Sequence, residues 1–151
     1  MKILVTGANG FVGKNLVCEL RNKGYEELYL FDIDTEESLL DSFTKDCVFV
    51  FHLAGVNRPK EETEFMEGNF GFTSTLLASL KKHNNTCPIL ITSSIQAALD
   101  NLYGRSKKAG EDLLFSYGEE TGAPVYVYRL PNVFGKWCRP NYNSAVATFC
   151  H

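Results

Sequence analysis

The sequence predicts an α/β fold: a doubly wound parallel sheet of about five strands, with helices on both faces. Three observations predict it. Short apolar runs are filled at consecutive rather than alternate positions, as in strands buried on both faces. Segments with a helical period separate these runs, and strands alternating with helices imply right-handed parallel crossovers. A glycine-rich turn joins the first run directly to the first helical segment.

Ile3-Leu4-Val5 forms the first run and Leu28-Tyr29-Leu30-Phe31 the second. Val48-Phe49-Val50-Phe51, Pro88-Ile89-Leu90-Ile91-Thr92 and Val125-Tyr126-Val127-Tyr128 complete the set. The first helix carries Val12, Leu16 and Leu20 at i+4 spacing with Val17 beside them, and Gly24 supplies its stop. Asp34-Thr35-Glu36-Glu37 resembles a capping box that opens a short helix through Ser42, with Asp34 as the cap. Phe65, Met66, Phe70, Leu76, Leu77 and Leu80 keep a helical period ahead of the fourth strand. A third helix is expected from about Tyr103 to Glu120, packing through Ala109, Leu113, Leu114 and Tyr117. No repeat, low-complexity tract or linker interrupts the pattern, so one domain is expected.

Composition narrows the function. Fifteen Lys and Arg stand against 18 Asp and Glu, a formal net charge of -3, so no chain-wide cationic field exists to hold a nucleic acid. The uncharged stretch from Cys87 to Leu99 is broken by Pro88 and is shorter than the ~20 apolar residues a membrane helix needs. The amino terminus reaches a glycine turn too soon for a secretory leader, and a cytoplasmic location is expected. Five widely spaced cysteines without a C-x-x-C pair fit reduced thiols. His52, His83 and His151 lie too far apart for a zinc spacing, and no metal site is expected. Asn84-Asn85-Thr86 matches a glycosylation sequon that lacks an export signal to make it relevant.

The turn Thr6-Gly7-Ala8-Asn9-Gly10-Phe11-Val12-Gly13 is a G-x-x-G-x-x-G between a buried strand and an amphipathic helix. Gly7 permits the tight turn, Gly10 lets backbone amides approach a pyrophosphate, and Gly13 lets helix and sheet pack closely. Asp32 follows Gly13 by 19 residues, at the end of the second strand, where it can accept ribose hydroxyls and repel a 2'-phosphate. A P-loop is the rival reading. It fails because Ala8 stands where glycine is needed and Asn15 where Ser or Thr is needed. His52-Leu53-Ala54-Gly55 ends the third strand with small residues that leave room for the adenine side of the cofactor, His52 itself being expected in the core.

Tyr103 and Lys107 stand four apart, on one face of a helix. A cation so placed lowers the phenol's pKa, and a tuned tyrosine can donate a proton to a developing alkoxide. Ser94, just past the fourth strand and nine residues before Tyr103, can hydrogen-bond the same oxygen. In order and spacing, the glycine turn, Thr92-Ser93-Ser94 and Tyr103-Gly104-Arg105-Ser106-Lys107 resemble the extended short-chain dehydrogenases/reductases with a Rossmann NAD(P)-binding domain. His52 to Pro59, Ser93 to Ala97, Pro131 to Cys138, Asn141 to Ser144 and Ala147 to Cys150 resemble one branch of them. That branch comprises the bifunctional capsule and O-antigen enzymes that make the precursor of UDP-N-acetyl-L-fucosamine.

The resemblance implies reduction of the C4 ketone of a UDP-2-acetamido-2,6-dideoxy-4-keto-hexose with NADP(H) or NAD(H), on a UDP-sugar substrate, by a homodimer in the full-length form. It implies Ser94, Tyr103 and Lys107 as the catalytic residues. Cofactor contacts would come from Gly7, Asn9, Gly10, Phe11, Val12, Gly13, Asp32, Leu53, Ala54, Gly55, Tyr103, Lys107 and Pro131. Substrate contacts would come from Ser94, Arg58, Asn132 and Lys136. Asn69 has two readings, as an anchor for a proton-relay water or as a packing residue between Gly68 and Gly71. Relatives that use NADPH carry a basic residue just after the second strand, where this chain has Ile33, so the cofactor choice stays open. Residues 1–151 are expected to form an incomplete domain, without the substrate subdomain and the cupin domain, because the chain stops at His151 within an expected helix. Ile95-Gln96 after Ser94 lacks the acid and base that dehydration needs. A sugar-nucleotide 4-epimerase and a noncatalytic dinucleotide-binding fragment remain as alternatives.

Overall fold

The computed structural model describes residues 1–57, 60–139 and 146. Five parallel strands form one sheet: β1 (Ile3–Thr6), β2 (Leu28–Phe31), β3 (Phe49–His52), β4 (Ile89–Ser94) and β5 (Val125–Leu130), in the order β2-β1-β3-β4-β5. The order reverses between β1 and β3, and the strands' carboxyl ends are where such sheets bind ligands. The helices are α1 (Phe11–Asn22), α2 (Glu37–Asp46), α3 (Thr63–Met66), α4 (Phe72–Lys82) and α5 (Leu102–Thr121). A π-helical turn (Glu67–Gly71) joins α3 to α4, and a 3-10 turn (Ile95–Ala98) follows β4.

Two apolar clusters lie on opposite faces of the sheet. One packs Leu4, Val50 and Ile89 against Leu40 of α2, Leu76 and Leu80 of α4, and Leu114 of α5. The other packs Ile3 and Val5 against Val17 and Leu20 of α1. Each such side chain withdrawn fully from water contributes about 1.5–3 kcal/mol, which is why the runs of β1, β3 and β4 became central strands.

Four expectations need correction. The β5 run was expected to be buried on both faces, yet Tyr126 and Tyr128 are 47% and 55% exposed. β5 is an edge strand paired only with β4, and among the described residues α1 covers just the β1 side of that face. Asp34 does not cap α2; the helix begins after Glu36 with no side-chain cap, while Asp34 accepts from Asn9 Nδ2 at 3.4 Å. α2 also runs past Ser42 to Asp46, because Thr44 is buried and meets Ser79 Oγ of α4 at 2.6 Å. The period from Phe65 to Leu80 is interrupted by the π turn, which shifts the helical phase and leaves Met66 and Phe70 exposed.

Cys47 and Cys87 lie at the amino-terminal end of the sheet as thiols with Sγ atoms 3.9 Å apart. No helix among the described residues is long and apolar enough to cross a membrane.

Candidate active site

The glycine turn closes β1 onto α1 by close backbone contact. Gly7 has φ +69°, in the left-handed region, and a Cβ there would sit 2.7 Å from Ala54 N in the segment after β3. A Cβ on Gly13 would fall 2.1 Å from the Gly7 carbonyl oxygen. Both positions demand glycine for the protein's own packing. Gly10 differs: an added Cβ would meet only Gly7 O, at 3.3 Å, and would otherwise enter the cleft. No side chain caps α1, so the positive end of the helix is presented to that space. These features fit a dinucleotide pyrophosphate, which needs backbone amides at close range and no side chain in the way.

Five strand ends line a single cleft of about 1330 Å³. Gly7, Asn9, Gly10, Phe11, Val12 and Gly13 form one wall, with Asp32 beyond β2 and Leu53, Ala54 and Gly55 beyond β3. Ser94, Tyr103 and Lys107 form the other, with Pro131 and Asn132 beyond β5. Asp32 accepts from the backbone N–H of Asn9 at 2.7 Å and of Ile33 at 2.8 Å, one on each carboxylate oxygen. Each oxygen keeps a second lone pair for a ribose hydroxyl. Ile33 is 99% exposed at the cleft rim and adds no charge.

On the opposite wall, Ser94 ends β4 and caps the 3-10 turn, its Oγ accepting from Gln96 N at 3.1 Å. Because that bond uses the oxygen as acceptor, the hydroxyl proton is left to donate into the cleft. Asn101 caps α5, accepting from Gly104 N at 2.7 Å, and so fixes the first turn that carries Tyr103. The Tyr103 hydroxyl donates to Asn57 Oδ1 at 3.0 Å, and its ring meets Phe65 edge-on at 5.6 Å. Lys107 Nζ lies over the Tyr103 ring, 5.7 Å from its centroid. Burial pushes the Lys107 ammonium down to about 8, with Glu111 opposing the shift.

Behind the cleft, His52 is 1% exposed between Thr6 Oγ1 at 2.7 Å and Thr73 Oγ1 at 2.8 Å. Burial first, and the charge of Lys107 second, push it down to about 3, so it is a neutral core residue. Asn69 donates from Nδ2 to Val56 O at 3.2 Å and to Ser106 Oγ at 3.0 Å, and accepts from Val56 N at 2.9 Å. Its amide is thus spent on fastening the segment after β3 to α5, which supports the packing reading. Without the π turn the phase of the helix would not bring this side chain inward.

The structure assembles the glycine turn, Asp32, the β3 end, Ser94, Tyr103, Lys107, Pro131 and Asn132 around the same cleft. Lys136 is not among the lining residues; its ammonium lies 4.5 Å from the centroid of the Trp137 ring, and its carbonyl accepts from Asn15 Nδ2 at 2.8 Å. Arg58, the segment Asn141 to Ser144 and the segment Ala147 to Cys150 lie outside the described residues. Sequence reasoning missed the roles of Asn57, Trp137, Cys138 and Arg139 at the cleft, and the buried Glu111 with its partner Arg129. Only one of these carried a readable signal: Glu111 stands one helical turn beyond Lys107.

The family model of the NAD dependent epimerase/dehydratase family matches residues 3–150. Over all 151 residues the chain is 53% identical to the UDP-2-acetamido-2,6-beta-L-arabino-hexul-4-ose reductase of Pseudomonas aeruginosa, and it spans 41% of that relative's length. The crystal structure of the capsular polysaccharide assembling protein CapF from Staphylococcus aureus superposes with a TM-score of 0.87 at 49% identity, over 99% of this chain and 41% of that one. RMD from Pseudomonas aeruginosa, solved with NADPH, superposes at 0.73 with 25% identity, over 94% of this chain and 58% of the other.

Proposed function

This chain belongs to the NAD dependent epimerase/dehydratase family, and on that premise we propose that it is the reductase part of an enzyme that reduces the C4 ketone of a UDP-2-acetamido-2,6-dideoxy-4-keto-hexose for surface polysaccharide precursors. The observation that carries the reading is the placement of Ser94, Tyr103 and Lys107 on one wall of the cleft whose other wall is the glycine turn. The 53% identity to a reductase of such a keto sugar supports it.

Ketone reduction requires a hydride at carbon and a proton at oxygen; NAD(P)H supplies the hydride when bound. Gly10 leaves the space for its pyrophosphate in a turn that Gly7 and Gly13 close by their own packing, Asp32 takes the adenosine ribose hydroxyls, and Lys107 the nicotinamide ribose hydroxyls. Ser94 donates to the carbonyl oxygen and holds it, while Tyr103 hands over its phenolic proton as the oxygen gains charge. Before that transfer the Tyr103 hydroxyl must turn from Asn57, so Asn57 orients the phenol in the resting site. The Lys107 ammonium stabilises the phenolate that remains. Asn132 belongs to the substrate side of the cleft. Arg58 is a diphosphate or sugar contact in the same reading, whereas Lys136, stacked on Trp137 away from the lining residues, would have to leave that ring to become one. A homodimer of the full-length enzyme belongs to it too.

The test is NAD(P)H consumption with the UDP-4-keto sugar, by this chain fused to the carboxyl-terminal remainder of the Pseudomonas aeruginosa reductase. Turnover is expected, and Tyr103→Phe should lower it by ~10² or more, the scale of a positioned general acid. A near-normal rate in the Phe variant overturns the assignment. Tightly held NAD that is not consumed points instead to a 4-epimerase.

A further inference from the structure

Lys107 lines the cleft as a half-buried cation, yet among the described residues no carboxylate lies within ion-pair distance of it. A charge withdrawn from water in this way needs an opposite charge somewhere in its surroundings. One helical turn along α5 stands Glu111, 1% exposed. Its carboxylate is gripped bidentately from β5, with Arg129 Nε donating to Oε1 at 2.9 Å and the terminal guanidinium nitrogen donating to Oε2 at 2.7 Å. Burial, the largest single influence, pushes the Glu111 carboxyl up, but hydrogen bonding and the positive charges of Arg129 and Lys108 together outweigh it and hold the carboxyl below its usual range. Glu111 is therefore ionised across the neutral range. Arg129, in contrast, reaches water through a 39% exposed side chain, so its own charge is the better screened of the two.

We propose that Glu111 is a positioning residue, the buried counter-ion that keeps Lys107 charged, and that Arg129 fixes the place of that counter-ion from the neighbouring strand. The other groups facing Lys107 cannot take this part. His52 from β3 is neutral and buried, Asn69 from the π turn is an amide already spent on Val56 and Ser106, and Tyr103 is the proton donor on its own helix. Gly55 leaves the space that brings Lys107 and Asn69 together: a Cβ there would be 2.8 Å from both Lys107 Nζ and Asn69 Oδ1. Among the described residues, Glu111 is the carboxylate whose charge favours the Lys107 ammonium against burial.

The inference rests on the reductase reading for its purpose, since a charged Lys107 is what stabilises a phenolate, but its test needs no turnover. Competitive acetylation of Lys107 by acetic anhydride, read by peptide mass spectrometry around pH 8, gives the titration of this amine directly. Glu111→Gln, which preserves shape and one acceptor for Arg129, should move that titration to lower pH by about one unit, roughly tenfold in the protonation equilibrium. Arg129→Gln should move it the other way, by less, because a screened positive charge is removed while Glu111 stays ionised near pH 8. A purely structural ion pair would alter stability in both variants and leave the amine where it was. Unmoved titration in Arg129→Gln and Glu111→Gln, or a shift in the same direction in both, overturns the proposal; if Glu111→Gln does not fold, Arg129→Gln alone decides. Opposed shifts in a protein that fails to reduce the keto sugar would remove the reductase reading and leave this one standing.

Discussion

Replacing Lys107 with Met should make the fold more stable while weakening its grip on the cofactor. Burial pulls the ammonium from 10.5 to about 8, so at neutral pH the folded chain carries a charge that the unfolded chain would hold more easily in water. A displacement of about 2.5 units at ~1.36 kcal/mol per unit sets a ceiling near 3 kcal/mol. Because the side chain is only half-buried, solvent screening brings the expected gain to about 1–3 kcal/mol. The sign follows from proton counting. The folded pKa lies below the unfolded one, so between about 8 and 10.5 the unfolded state binds the extra proton and the wild type gains stability as pH rises through that window. The advantage of Met should therefore be full at pH 7 and nearly gone at pH 10. Urea denaturation of both chains at the two pH values reads the gap, and NADH fluorescence titration reads the loss of affinity. A Met variant less stable than wild type at pH 7, or a gap that ignores pH, would refute the reasoning. Gain of stability with loss of binding is the mark of a residue kept for chemistry rather than for packing.

His52 should make the chain acid-sensitive: with a folded value of about 3 against 6.5 unfolded, stability is present above 6.5 and is lost as pH falls toward 3, at about 1.4 kcal/mol per unit. His52→Gln should flatten that slope between pH 5 and 6.5, as followed by urea denaturation. Gly10→Val should fold and lose NAD(P)H binding, whereas Gly13→Val should fail to fold, because its Cβ would fall 2.1 Å from a backbone oxygen; circular dichroism with fluorescence titration separates the two, and equal cofactor affinity in Gly10→Val would sink the pyrophosphate assignment. Asp32 faces a 2'-phosphate unfavourably and Ile33 offers no charge to offset it, so NADH should compete well here. Ile33→Arg should raise the affinity for NADPH relative to NADH, and strong NADPH selectivity in the unaltered chain would place the decision at other contacts.

Much of this protein is written in short-range pattern. Ile3-Leu4-Val5 is apolar at every position because β1 is covered on both faces, and the adjoining glycines are spaced as a strand-to-helix turn requires, so fold class and cofactor wall depend on neighbours in the chain. Tyr103 and Lys107 were legible for the same reason, since one helical turn relates them. Tertiary structure alone decided the rest. Tyr126 and Tyr128 read as a buried run, but their exposure depends on which elements cover the sheet edge, and β5 carries no local mark of that. The π turn that brings Asn69 inward, the Asn57 side chain that accepts a hydrogen bond from the Tyr103 hydroxyl, and the Arg129 that grips Glu111 all unite segments distant in sequence. The ionisation of Lys107 belongs to this second group, because periodicity reports which face a residue occupies, whereas a charge responds to everything packed around it in space.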